Sequence, residues 1–180
     1  MAKQNIKTKK GFTIIEVVLV LAIAGLIFLM VFIAWPALQR SQRDTQRRND
    51  YAMLSTAITN YSTNNGGKLA NLIGTGNTKV LDAKTYINEA GEDPDGHAYV
   101  LAAVKCGSTS STSVCPLTNA SSYLTSGKPK QWNVLVVLNA DCSKTHTNGF
   151  AAPTYNSSSR AFAIFGYLEG GPQTFCSASK

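Results

Sequence analysis

Hydrophobic and polar positions fall into separate blocks along this chain. Val17 to Trp35 is a run of nineteen residues with no charge and no strongly polar side chain. As a helix it covers roughly 28 Å, close to the roughly 30 Å hydrocarbon core of a bilayer. A helix satisfies every backbone group within the segment, which lipid demands. Pro36 follows, where the lost hydrogen bond predicts a kink or a short unwound segment. Residues 39–50, QRSQRDTQRRND, contain no apolar side chain and read as a solvated helical neck. Apolar positions return at Tyr51, Leu54, Ile58 and Tyr61, and this 3-4-3 spacing gives one helix face that must pack on a globular domain. Asn64-Asn65-Gly66-Gly67 is a stop signal, because glycine accepts the left-handed conformation of a helix C-cap.

Beyond the helix, Lys68 to His97 reads as a connecting loop with a short helix over Asp82–Ala90. Three runs rich in β-branched and aromatic residues follow: AYVLAAV (98–104), WNVLVVLN (132–139) and RAFAIFGYLE (160–169). Each is bounded by Gly, Pro, Ser or Asn, the pattern of strands. Strands without intervening helices favour an antiparallel sheet, which the Tyr51–Tyr61 face would cover. The expected class is α+β: a long N-terminal helix, transmembrane in its first half and amphipathic in its second, packed on a small antiparallel β-sheet head.

Glu16 stands one turn inside the apolar helix, where a carboxylate costs a few kcal/mol unless it finds a partner. Upstream, MAKQNIKTKK carries Lys3, Lys7, Lys9 and Lys10 and no acid, and Gly11 separates it from Phe12. A cut between Gly11 and Phe12 would create an α-amino group at i relative to Glu16 at i+4, within pairing distance in one chain or between staggered neighbours.

Basic leader, Gly11, Phe12, Glu16 and then about twenty apolar residues: GFTIIE in this setting resembles the type III signal of type IV pilins, cleaved after the glycine by a prepilin peptidase. The close resemblance covers about residues 1–65. It implies that Phe12 becomes an N-methylated mature terminus and that Glu16 sets subunit register in a filament. Gly25 lies where many pilins keep a glycine, whereas Pro36 comes a few residues later than their usual proline. The implied organisation is a leader at 1–11, a transmembrane and filament-core helix at 12–36, a neck and head spine at 37–65, and a globular head at 66–180. The implied partners are further copies of the chain in a homopolymeric filament, the prepilin peptidase, the pilus assembly platform with its minor pilins, and the membrane before assembly. A host surface or DNA is a further partner open to an exposed head. A single-pass precursor with a cytoplasmic N-terminus would become an extracellular pilus.

Two plainer readings fit less well. A secretory signal peptide has an apolar core of about 7–15 residues and an A-x-A-like site. This run is longer, and Ala34-Trp35-Pro36-Ala37 matches such a site poorly. An ordinary membrane anchor has no use for Glu16.

Charge refines the picture. The formal net charge of +7 is concentrated in the four leader lysines and in Arg40, Arg43, Arg47 and Arg48. The leader lysines place the N-terminus in the cytoplasm by the positive-inside rule, and the arginines beyond the span weaken that bias. A sequence pI of about 9.3 therefore says little about nucleic acid. Tyr86, Tyr99, Tyr123, Lys128 and Lys130 are the residues with which a head would hold DNA or a host surface, although aromatic and basic residues are not densely interleaved.

Cys106, Cys115, Cys142 and Cys176 lie beyond the span, consistent with two disulfides in an oxidising compartment. Three connectivities exist; Cys106–Cys115 with Cys142–Cys176 is the expected one. No C-x-x-C or Cys/His spacing supports zinc. Glu92-Asp93-Pro94-Asp95-Gly96 reads as a turn, with its three acids a weaker alternative as a calcium site because only part of an EF-hand pattern is present. Exposed Ser/Thr-rich loops at 106–130 and 141–159 suit O-glycosylation or adhesion, and Asn60, Asn119 and Asn156 match N-x-S/T.

His97 and His146 lack metal-ligand neighbours, and no G-x-S-x-G, H-E-x-x-H or G-x-x-x-x-G-K-[ST] pattern occurs. A structural protein without catalytic residues or cofactor is expected, as a type IV pilus subunit serving adhesion, twitching motility or DNA uptake. The alternative is a minor pilin or a pseudopilin of a type II secretion or competence system.

Overall fold

The computed structural model describes residues 11–73, 78–87, 91–107, 115, 117, 122–125, 128–143, 152–170 and 174–179. The leader lysines, most of the Ser/Thr-rich loops, Asn119 and His146 lie outside the described residues. The chain divides into two compact units, Met1–Gln39 and Arg40–Lys180.

Helix α1 runs Ile14–Asn64 and contributes to both units. It starts because Thr13 and Glu16 form a capping box, with the Thr13 amide donating to Glu16 Oε2 at 2.9 Å and the Glu16 amide reaching Thr13 Oγ1 at 3.4 Å. Within the first unit the helix continues through Gly25 and Pro36 with no unwound segment. One missing hydrogen bond is tolerated where the turns on either side remain bonded. At its other end, the Gly67 amide donates to the Ser62 carbonyl at 2.7 Å and the Gly66 amide to that of Thr63 at 3.3 Å. With Gly66 at φ 64° this is a Schellman C-cap, which satisfies carbonyls a helix end leaves unpaired.

In the second unit, five strands form a sheet in the order β1-β2-β5-β8-β9: β1 Thr78–Leu81, β2 Val100–Lys105, β5 Asn133–Leu138, β8 Phe162–Tyr167 and β9 Thr174–Ala178. Two short hairpins accompany it, β3 Leu124–Thr125 with β4 Lys128–Pro129, and β6 Ala140–Ser143 with β7 Ala152–Tyr155. A one-turn helix, α2, spans Ala83–Tyr86 within the expected Asp82–Ala90, of which residues 88–90 lie outside the described residues. The α+β class holds, but the sheet is mixed. β2 and β5 pair in parallel, Leu101 opposite Val134, while the other pairs are antiparallel. More than a dozen residues separate β2 from β5, enough chain for the crossover that a parallel pair requires.

β5 is buried along its whole length. Val134, Val136 and Leu138 meet Tyr51, Leu54 and Ile58 of α1 on one face. Leu135 and Val137 meet Cys106, Cys115, Ala140 and Phe165 on the other. A strand covered on both faces reads as a continuous apolar run rather than an alternation, as NVLVVL does. Leu54 and Ile58 are fully buried, and each such side chain contributes roughly 1.5–3 kcal/mol. Close packing over β8 depends on Gly166, since a Cβ there would stand 2.5 Å from Tyr51 Cζ. The Tyr51 hydroxyl crosses this gap and donates to the Tyr167 carbonyl at 2.9 Å.

Candidate functional site

The N-terminal region presents its apolar surface bare. Phe12 is 90% exposed, and large hydrophobic residues from Ile14 to Leu38 are exposed in turn. By length and composition α1 is able to cross a membrane, and the protein itself buries none of that apolar stretch. Gly11 precedes the helix, and a Cβ at Gly11 or Gly25 would meet nothing within 4 Å. Glu16 finds its partner in Thr13, which donates from its amide at 2.9 Å and from Oγ1 at 2.8 Å. The carboxylate therefore has a local role in starting the helix, besides any pairing with a mature Phe12 terminus. Thr13 escaped the sequence reading, although the T-x-x-E spacing carried the signal.

The neck departs from expectation. Arg40 and Ser41 are exposed, but Asp44, Arg47 and Asp50 are buried, with Arg47 only 1% exposed. Burial of these polar groups is sustained by pairing. Arg47 Nη1 reaches Glu169 Oε1 at 2.6 Å and Asp44 Oδ1 at 3.2 Å, while Nη2 reaches Asp95 Oδ2 at 2.7 Å and Asp93 Oδ2 at 3.0 Å. Arg43 joins the cluster, its Nη2 2.6 Å from Glu169 and its Nε 3.3 Å from Asp95. Asp44 in turn accepts the Glu169 and Gly170 amides at 2.8 and 2.7 Å. A solvated neck was the wrong expectation for these positions, because its charges are complementary to those of two distant turns.

Electrostatics follow from this geometry. Arg43, then Arg47, hold the Glu169 carboxyl well down, to about 2, against the opposing effect of burial. Burial works against the charge of Arg47, but the hydrogen bonds that Arg47 donates to Glu169 and Asp93 outweigh it and raise its pKa. Tyr99, shifted upward by burial and then by its bond to Asp50, donates to Asp50 Oδ2 at 2.8 Å.

The acidic turn is thus part of this cluster. Asp93 Oδ1 accepts the Asp95 and His97 amides at 3.1 and 3.0 Å, the mark of an Asx-type turn. Asp93 and Asp95 face Arg47, so a protein guanidinium occupies the place that the calcium alternative gave to a metal; Glu92 is exposed and forms a bridge with Ala98. No group of three or more His, Cys, Asp or Glu suited to a metal occurs among the described residues.

Cysteines pair as Cys106–Cys115 and Cys142–Cys176, at S–S 2.10 and 2.03 Å. The residues proposed for gripping DNA or a host surface do not form one surface. Tyr99 is buried, Tyr86 packs with the helix-side core, and Tyr123 packs on the opposite face of the sheet. Lys130 Nζ donates to the Ser122 carbonyl at 2.7 Å. The side chain of Lys128 lies outside the described residues.

A mixed sheet carrying a long helix whose apolar start is uncovered defines the class: an α+β protein with an apolar N-terminal helix long enough to cross a membrane. Residues 6–32 match the family model described as Prokaryotic N-terminal methylation motif, the signal of type IV prepilins. This motif, which includes Gly11, Phe12 and Glu16, indicates a type IV pilin-like prepilin and implies processing by a prepilin peptidase and entry into pilus assembly. With the apolar helix it is consistent with a membrane-anchored precursor. No curated protein and no solved structure matches the chain.

Proposed function

We propose that this chain is a structural subunit of a type IV pilus, cleaved after Gly11, N-methylated at Phe12 and polymerised into a surface filament. The observation that carries the proposal is the methylation motif leading directly into an apolar helix that the protein leaves uncovered. Such a surface requires lipid before assembly and neighbouring helices after it.

In the filament, Glu16 acts as a register device. An unpaired carboxylate in the packed helices is costly, and the Phe12 ammonium of a neighbour relieves that cost only at the correct stagger. Membrane residence, the assembly platform and minor pilins belong to the same reading, with an extracellular filament as its end point.

Intact mass and N-terminal sequencing of mechanically sheared surface material test it. The expected chain begins at methylated Phe12, is abundant, and lacks the four hydrogens lost in two disulfides. A chain beginning at Met1 and confined to membranes overturns the reading. A correctly processed but scarce chain would make it a minor pilin or pseudopilin instead.

A further inference from the structure

A cleft of about 510 Å³ opens between the last turns of α1, the turn before β8 and the residue after β9. Its size lies within the roughly 300–1,000 Å³ of small-molecule sites. Ser55, Thr59, Ser62 and Thr63 line one wall, Arg160 and Ser179 stand on another, and no acidic residue lines it among the described residues. We infer that this cleft binds a carboxylated, polyhydroxy ligand of the hexuronate type, with Arg160 as the carboxylate anchor and the hydroxyl wall as the sugar contact. The inference is independent of the pilus reading, since it rests on the head alone.

Four observations carry it. First, the Arg160 guanidinium has no carboxylate or hydrogen-bond partner among the described residues, whereas Arg43 and Arg47 are both engaged by acids. Second, it lies close against the C-cap of α1. Gly67 has φ 80°, and a Cβ there would come within 3.0 Å of Arg160 Cζ, so the glycine that closes the C-cap also makes room for the guanidinium.

Third, the hydroxyls are sorted by function. Thr59 Oγ1 donates to the Ser55 carbonyl at 2.8 Å and Thr63 Oγ1 to the Thr59 carbonyl at 3.0 Å. With their protons committed, these oxygens retain only acceptor capacity for incoming hydroxyls. Ser179 Oγ accepts the Phe162 amide at 3.1 Å, which leaves its proton for donation.

Fourth, the charge suits a carboxylate better than a phosphate. One guanidinium matches a planar monoanion bidentately, while the negative end of the α1 dipole, at this same helix terminus, opposes every anion and a dianion more strongly than a carboxylate.

The test uses the full-length chain in an amine-oxide detergent, which carries no sugar, with glucuronate as probe and glucose and acetate as controls. Isothermal calorimetry or amide resonance shifts should show saturable glucuronate binding at about 1 mM or tighter. Glucose and acetate, each lacking half of the recognition, should bind at least about tenfold more weakly. Arg160→Gln should weaken glucuronate binding by about tenfold or more. Thr59→Val should weaken it less, and both variants should keep the wild-type thermal midpoint, because both side chains lie at the surface. No saturation up to about 20 mM glucuronate, acetate binding as tightly as glucuronate, or affinity unchanged in Arg160→Gln would each overturn the assignment.

Discussion

Arg47 Nη1 and Glu169 Oε1 stand 2.6 Å apart and tie the middle of α1 to the turn that follows β8. The same guanidinium holds Asp44, Asp93 and Asp95, so a single side chain joins the helix, the acidic turn and the β8 end. Its Nε is buried with no hydrogen-bond partner among the described residues, so the pairing runs through the two terminal nitrogens.

Arg47→Ala leaves the buried carboxylates facing one another. Removing one partner of a buried ion pair costs about 3–5 kcal/mol, and the denaturant midpoint of the full chain in detergent should fall accordingly. Arg47→Lys should recover only part of the loss, since an ammonium cannot fork between several carboxylates. Equal stability for wild type and Arg47→Ala would remove the cluster from any role in holding the head.

The cluster also sets a pH dependence. Arg43 and Arg47 hold the Glu169 carboxyl down to about 2 in the folded head, below its ordinary value of 4.5, so folding favours its charged form. Stability from this group is complete above about 4.5 and is lost as pH falls toward 2. Denaturant midpoints measured from pH 6 down to pH 2 should decline more steeply for the wild type than for Glu169→Gln. Parallel curves would mean that another carboxylate carries the acid sensitivity.

Gly166→Ala should destabilise the head, because its Cβ would meet Tyr51 Cζ at 2.5 Å and Tyr51 Oη at 2.7 Å. Overpacking of this kind costs about 1–3 kcal/mol. Tyr51→Phe in the same background should not restore stability, as the ring itself is obstructed; a full rescue would place the conflict at the hydroxyl alone.

Glu16 caps α1, and the proposed filament gives its charge a second, separable duty. Glu16→Ala removes both, and should permit cleavage and membrane residence yet impair filament assembly. Glu16→Gln keeps an acceptor for the Thr13 amide, since glutamine also serves at that capping-box position, but removes the charge. Electron microscopy and sheared-fraction yield should show both variants defective. Normal filaments from Glu16→Gln would reduce Glu16 to a helix cap.

The parts of the fold that were legible in the sequence are those whose signal is local. The apolar run, the Tyr51–Leu54–Ile58 face and the stop at Gly66-Gly67 each follow from short-range chemistry, and two of the three β-rich runs contain β5 and β8 while the first covers β2 as far as Val104. The short strands β1, β6, β7 and β9 were not legible, because segments such as TKVL and ADCS are too brief for a period to emerge. Nor was the parallel pairing of β2 with β5, which depends on a crossover whose residues look like any polar loop.

At the candidate site the contrast is sharper. Gly11, Phe12 and Glu16 announce themselves by spacing. The burial of Arg47 does not, because its cause lies in Asp93, Asp95 and Glu169, far along the chain. A polar stretch reads as solvated until the charges that meet it are known.

The two faces of β5 differ in what closes them. On one, Leu54 and Ile58 of α1 are sealed by packing alone, available as soon as helix and strand meet. On the other, both disulfides contribute, Cys106–Cys115 within the buried cluster and Cys142–Cys176 packed against it. The helix side of the head is thus closed without covalent links, whereas the far side is closed in part by two bonds that an oxidant must form. Forming those bonds withdraws four electrons from four thiols, so one face of the sheet carries a redox requirement that the other does not.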